Sequence, residues 1–123
     1  MNKAQKWILI IDDDSRNIFA LNAVLRAKGF TCISAQSAAE GIKKLIVESN
    51  IGIILLDMMM PGMDGYEAIP MLKKLRPELP IVSVTAQAMV GDREKCLSAG
   101  ADEYLAKPIE MERMMFLLGQ YLK

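Results

Sequence analysis

The sequence contains no histidine. That absence removes imidazole catalysis, most zinc sites and any role as a phosphohistidine carrier. Cysteine is nearly absent too. Cys32 and Cys96 lie far apart in the chain and are expected as free thiols of a reducing cytoplasm rather than as a disulfide. Net charge is missing, because fifteen basic residues balance fifteen acidic ones. A neutral chain leaves no electrostatic footprint for nucleic acid or an anionic membrane. No apolar run reaches the roughly 18 residues that a membrane span requires. "KWILII" near the N-terminus is followed at once by acids, without a small-residue cleavage site, so it does not read as a signal peptide. No repeat, linker or low-complexity segment interrupts the sequence.

What remains is a chain of 123 residues, 52% hydrophobic and 24% charged, as expected for one compact domain spanning 1–123. Short apolar runs alternate with helical patterns. "WILII" (7–11), "TCISA" (31–35), "IGIILL" (51–56), "IVSVT" (81–85) and "EYLA" (103–106) read as strands, the third apolar throughout and so buried on both faces. Between them fall helices. One covers 15–28, with Ile18, Leu21, Asn22 and Leu25 on one face and Gly29 as its stop. The next opens on "SAAE" (Ser37 to Glu40), a capping box. A third starts at Asp64 as N-cap and contains Pro70, which should kink it or thin its hydrogen bonding. "GDREKCLSAG" (91–100) forms a fourth. A last helix over 110–122 places Met111, Met114, Met115, Leu118 and Leu122 on its inner stripe. Five βα units with short connections predict an α/β fold, a doubly wound five-stranded parallel sheet with right-handed crossovers.

Ligands of such sheets sit beyond the carboxyl ends of the strands. There the sequence places Asp12, Asp13 and Asp14 after the first strand, Asp57 after the third, Thr85 and Ala86 after the fourth, and Lys107 and Pro108 after the fifth. If the first and third strands are neighbours, Asp12, Asp13 and Asp57 converge. Two carboxylates ~4 Å apart repel by about 4 kcal/mol at an effective dielectric near 20. Protonation, a lysine or a divalent cation must offset that repulsion. An oxygen-only site suits Mg²⁺, which accepts one or two carboxylates and keeps waters for a phosphate. Lys107 supplies positive charge and Thr85 a hydroxyl, so the set has what a carboxylate needs to attack phosphorus and hold the transferred group. A single aspartate after a strand is usually a cap, which accounts for Asp14 and Asp64. It does not account for Asp12, Asp13 and Asp57 together.

The segments "ILIIDDDSRN", "LLDMMMPGMDG", "VTAQA" and "YLAKPI" resemble the signature segments of response-regulator receiver domains, and the resemblance covers essentially the whole chain. It implies the flavodoxin-like receiver fold with strand order 2-1-3-4-5. It also implies a phosphoacceptor aspartate, Asp57, charged by a histidine kinase or a histidine phosphotransfer domain with Mg²⁺ as cofactor. Asp12 and Asp13 would form the acidic pocket, with Asp13, Asp57 and the backbone carbonyl of Met59 as direct metal ligands. Thr85, Ala86 and Lys107 would bind phosphate. Thr85 and Tyr104 would be the switch pair, and Lys107-Pro108 a cis peptide. Pro61, Gly62 and Gly65 would shape the turn after Asp57. The exposed face of the first helix, around Asn17, Ala20 and Ala23, would dock the histidine-bearing bundle. Met59 and Gln87 depart from the polar and acidic pair of fast-hydrolysing members and are expected to tune phosphate lifetime; Pro70 is also unusual for its helix.

The segment from Thr85 to Ile109 is most similar to receivers of hybrid sensor kinases, so the chain reads as a free-standing receiver or as a piece of such a protein. The expected role is a cytoplasmic phosphorelay regulator rather than an enzyme, without nucleic-acid or membrane contacts. Neither its kinase nor its output is named by the sequence. Two other readings stand beside it: a Mg²⁺ phosphatase working through an aspartyl phosphate, for which Asp12 and Asp14 form a D-x-D pair, and a docking module that is never phosphorylated. Met58, Met60 and Met63 are expected to pack the turn. Phe116, Leu117 and Tyr121 widen the apolar face of the last helix into a candidate contact surface.

Overall fold

The computed structural model describes residues 6–86 and 91–122. Strands and helices alternate: β1 (Trp7–Ile11), α1 (Ser15–Ala27), β2 (Cys32–Ala35), α2 (Ala38–Val47), β3 (Ile51–Asp57), α3 (Gly65–Leu75), β4 (Ile81–Thr85), α4 (Asp92–Ala99), β5 (Glu103–Ala106) and α5 (Met111–Tyr121). The strands form one parallel sheet in the order β2-β1-β3-β4-β5.

Alternation along the strands sorts the core into two layers. Leu9, Ile11, Ile54, Leu56 and Ile81 pack with α2, α3 and α4 through Leu45, Ile69, Leu72 and Cys96. Ile8, Ile10, Ile53, Leu55, Val82, Val84 and Leu105 pack with α1 and α5 through Leu25, Met114, Leu117 and Leu118. One irregularity breaks the alternation. Ile51 and Ile53, two apart, face opposite layers, because the β1–β3 register slips between Trp7 and Ile8. Gly52 sits at the slip, where a Cβ would collide with Lys6 Cβ and lie 2.8 Å from Leu122 Cδ2. A glycine inside a strand pattern is a signal for such a bulge.

Most helices follow their residues, with departures at the Ser37 capping box and at Leu117. Ser37 caps α2 by accepting from the Glu40 N–H, but the Glu40 carboxylate takes the N–H of Gln36, one residue further back than a capping box requires. The complete box belongs to Asp64 and Glu67 at α3. Pro70 does not end α3, which runs on to Leu75; it lies exposed, and the thinning is the one hydrogen bond that a proline cannot donate. Leu117 belongs to the core, not to an outer face, whereas Phe116 is 67% exposed and Tyr121 is partly buried against α5's layer. The period of α5 turns Leu117 inward beside Met114 and Leu118, and Leu122 falls just past the helix end.

Candidate functional site

β1 pairs with β2 on one side and β3 on the other, so the winding reverses there and opens a crevice at the carboxyl ends of β1 and β3. Asp12 follows β1, Asp57 ends β3, Thr85 ends β4 and Lys107 follows β5. Pairing carries them to one edge together: Asp57 lies in register with Val84 and Thr85 with Ala106, and the Lys107 N–H donates to the Thr85 carbonyl (2.8 Å).

One carboxylate oxygen from each of Asp12, Asp13 and Asp57 falls within 4.8 Å of the others. Asp12 and Asp57 are buried, 4% and 5% exposed, and Asp13 is exposed. Lys107 Nζ stands between the two buried acids, 3.4 Å from Asp12 Oδ2 and 3.8 Å from Asp57 Oδ1. Asp12 also accepts from the Asp14 N–H (2.9 Å) and from Asn17 Nδ2 (3.5 Å). Asp57 accepts from the Met59 N–H (3.2 Å). Burial pushes the Asp57 carboxyl up to about 6; the negative charge of Asp12 pushes the same way, while the Met59 N–H and Lys107 oppose it. Three acids sharing one lysine leave negative charge in excess. An all-oxygen set that includes one solvent-facing member suits a hard divalent cation that retains waters.

The turn after Asp57 closes on itself. Met58 and Met60 are buried, Met63 packs against the core, and the Gly65 N–H donates to the Met58 carbonyl (3.2 Å). A Cβ on Gly65 would stand 2.7 Å from Met58 Cα, so only glycine admits α3 this close. Gly62 takes φ +76°, and Met59 is left half-exposed beside the site. Thr85 is buried and Ala86 exposed. The Lys107-Pro108 peptide is cis. Tyr104 is partly buried against the α2–α4 layer. Burial, then the charges of Asp92 and Cys96 on α4, holds its hydroxyl above its ordinary pKa. Gln87 lies outside the described residues. Asp14 caps α1 through the Arg16 N–H (2.9 Å).

Asn17 is the site residue that composition and spacing did not single out. It was expected on the exposed face of α1, yet its amide turns in to Asp12. Its position in the first turn after a triple aspartate is the only sequence signal it carries. The same face borders a groove of about 260 Å³ that opens on Asp12 and Lys107 and is lined by Ala20, Leu21 and Val24.

Over residues 8–118 the chain matches the family model of the response regulator receiver domain. It is 36% identical over 125 residues to the signal transduction histidine-protein kinase BarA of Escherichia coli K12, an alignment that covers 98% of this chain and 13% of that protein. The chain therefore spans about an eighth of that curated relative's length (13%). Among solved structures it resembles a CheY-like receiver from Methanospirillum hungatei JF-1, with a TM-score of 0.87 and 31% identity, covering 97% of this chain and 94% of that one. It also resembles a response regulator of Burkholderia pseudomallei determined with a phosphorylated aspartic acid, calcium ion and citrate, with a TM-score of 0.81 and 27% identity over 96% of this chain and 66% of that one.

Proposed function

The chain belongs to the response regulator receiver family of two-component signalling, whose members are phosphoacceptor regulators rather than classical enzymes, and from that premise we propose that Asp57 accepts a phosphoryl group from the phosphohistidine of a kinase or phosphotransfer domain. One Asp57 oxygen attacks phosphorus in line as the P–N bond breaks, its electron pair leaving on the imidazole, and an acyl phosphate forms. A carboxyl with a pKa of about 6 is mostly ionised at neutral pH and so is ready to attack. Lys107, already within reach of both buried acids, holds one phosphoryl oxygen. Thr85 and the chain at Ala86 hold another. Asp12, Asp13, Asp57 and the Met59 carbonyl would hold Mg²⁺, with Asp13, Asp57 and that carbonyl as direct ligands, and its charge would shield the phosphoryl oxygens from the acids.

Once phosphate is present it draws Thr85 toward Asp57, and Tyr104 moves into the space vacated. The domain spans the chain as one unit, works in the cytoplasm, and changes its surface to control an output. Among the described residues no helix is long and apolar enough to cross a membrane. The histidine-bearing partner docks over the groove between α1 and the segment after β5, which opens directly on Asp12 and Lys107.

The observation that carries this reading is the cluster itself: three carboxylates within 4.8 Å and one lysine reaching two of them. The phosphorylated aspartate of the Burkholderia relative supports it. Incubation with acetyl phosphate and Mg²⁺, followed by intact mass, should add one phosphoryl group to the wild type and none to Asp57→Asn. Equal labelling of the variant would overturn the assignment.

A further inference from the structure

Ser83 lies at the centre of the sheet, 0% exposed, and its hydroxyl has no hydrogen-bond partner. A buried hydroxyl without a partner is a cost that the fold has reason to avoid. Along β4, Val82 and Val84 face α1 and α5 whereas Ile81 faces α2–α4, so alternation places Ser83 and Thr85 together on the α2–α4 face. In register, Ser83 has Leu56 of β3 on one side and Tyr104 of β5 on the other. Leu56 and the Tyr104 ring both pack into the α2–α4 layer. Ser83 is therefore one strand from Tyr104 and one pleat from Thr85. Among the described residues it is also the only polar side chain that is fully buried away from the strand ends.

We propose that Ser83 is a positioning residue for the switch, the small seat onto which the Tyr104 ring settles and whose hydroxyl gains a partner only there. This rests on the reading of Thr85 and Tyr104 as the moving pair. Serine is smaller than leucine, its neighbour across β3, and so presents less bulk to a ring moving over the strand. With the ring drawn in, the Ser83 O–H faces aromatic π density, a weak hydrogen bond but better than none in a dry core. In this structure the Tyr104 ring packs partly buried on the α2–α4 layer and the Ser83 hydroxyl has no hydrogen-bond partner. The resting state thus carries a penalty that the switched state relieves.

The test uses Mg²⁺ with beryllofluoride as a stand-in for the phosphoryl group and reads the Tyr104 ring by NMR, its resonances assigned with Tyr104→Phe. In Ser83→Ala the ratio of inward to outward Tyr104 should fall roughly threefold, the size of a weak hydrogen bond, while resting-state thermal stability rises. A merely structural serine would not move these two readouts in opposite directions. Ser83→Leu should abolish the inward signal while beryllofluoride still binds; should it fail to fold, Ser83→Ala decides alone. A wild-type ring that responds, with Ser83→Ala responding identically, would overturn the role of Ser83 and leave the switch reading intact. A wild-type ring that does not respond would overturn both.

Discussion

The two ends of the sheet each hold a lysine and an aspartate from distant parts of the chain, and they use them in opposite ways. At the amino end Lys73 of α3 donates to Asp102 (2.7 Å) and to the Leu79 carbonyl (2.9 Å). The same Asp102 oxygen takes the N–H of Ile81, the first residue of β4 (2.8 Å). One acid meets one base, at short distances, and each also bonds a backbone group. At the carboxyl end Lys107 is spread over two buried acids at 3.4 and 3.8 Å, with exposed Asp13 a third acid in the cluster. The first arrangement ties α3, β4 and β5 together, with one acid matched to one base. The second holds more negative charge than it can neutralise, which costs stability and leaves oxygens available. Scaffold and site differ less in residue type than in whether the charges are closed.

The comparison can be broken most sharply at Asp57. Its carboxyl titrates near 3.8 when unperturbed and at about 6 when folded. The folded state therefore binds that proton more tightly than the unfolded one. This contribution to stability is complete below pH 3.8 and is lost as pH rises through about 6. In metal-free buffer at pH 7, Asp57→Asn should stabilise the protein by about 2 kcal/mol, an advantage that shrinks as pH falls toward 4. Urea melts at several pH values measure it. Added Mg²⁺ should stabilise the wild type and not the variant. A variant less stable than wild type at pH 7, or an offset independent of pH, would show that the carboxyl end is not under electrostatic strain.

That end was also the more legible one. Asp12, Asp13, Asp57, Thr85 and Lys107 follow strands that apolar runs mark plainly, and a parallel sheet gathers strand ends by construction. The order of the strands came from the resemblance, since no local pattern says that β1 lies between β2 and β3. The amino end was silent in the sequence, because nothing in "RPELP" or "GADEYL" announces that Lys73 and Asp102, 29 positions apart, will meet. Gly52 sits in an apolar run that reads as ordinary strand, because a bulge depends on the partner's register. Leu117 turns inward because a helix phase inferred from apolar residues is uncertain by one position, enough to turn a side chain in or out, and the contact of Asn17 with Asp12 depends on tertiary placement that no local pattern shows. Ser83 looked like any polar residue of a strand, and only its surroundings make it unusual.

A smaller effect should sharpen the contrast in water access. Hydrolysis of the acyl phosphate needs a water held in line with phosphorus. Met59, two residues past Asp57, is half-exposed at the rim; its thioether is a poor hydrogen-bond partner for that water and its bulk shields the approach. Gln87, two past Thr85, can hold water but is no base. Met59→Asn with Gln87→Glu should speed decay of phosphorylated protein roughly tenfold, or about 1.4 kcal/mol of barrier, measured after removal of the donor. Unchanged or slower decay would place control of water elsewhere.

The smallest expected effect tests the closed end. Asp102→Ala removes both the ion pair with Lys73 and the acceptor of the Ile81 N–H. The ion pair itself is partly exposed, about a third for Asp102 (36%) and a quarter for Lys73 (26%), so screening leaves it little net value. The backbone acceptor matters more, because Ile81 is buried and its N–H would be left without a partner unless water reaches it. Together these predict a loss of about 1 kcal/mol. Lys73→Met, which leaves the Ile81 bond in place, should lose less than half of that. Neither change should alter Mg²⁺ affinity or the extent of phosphorylation at Asp57, because the pair sits at the opposite edge of the sheet from the carboxylates. Urea melts of the two variants, paired with a Mg²⁺ titration of each, separate the possibilities. If Asp102→Ala weakened Mg²⁺ binding as much as it weakened the fold, the two ends would be coupled, and the division into a closed scaffold and an open site would fail.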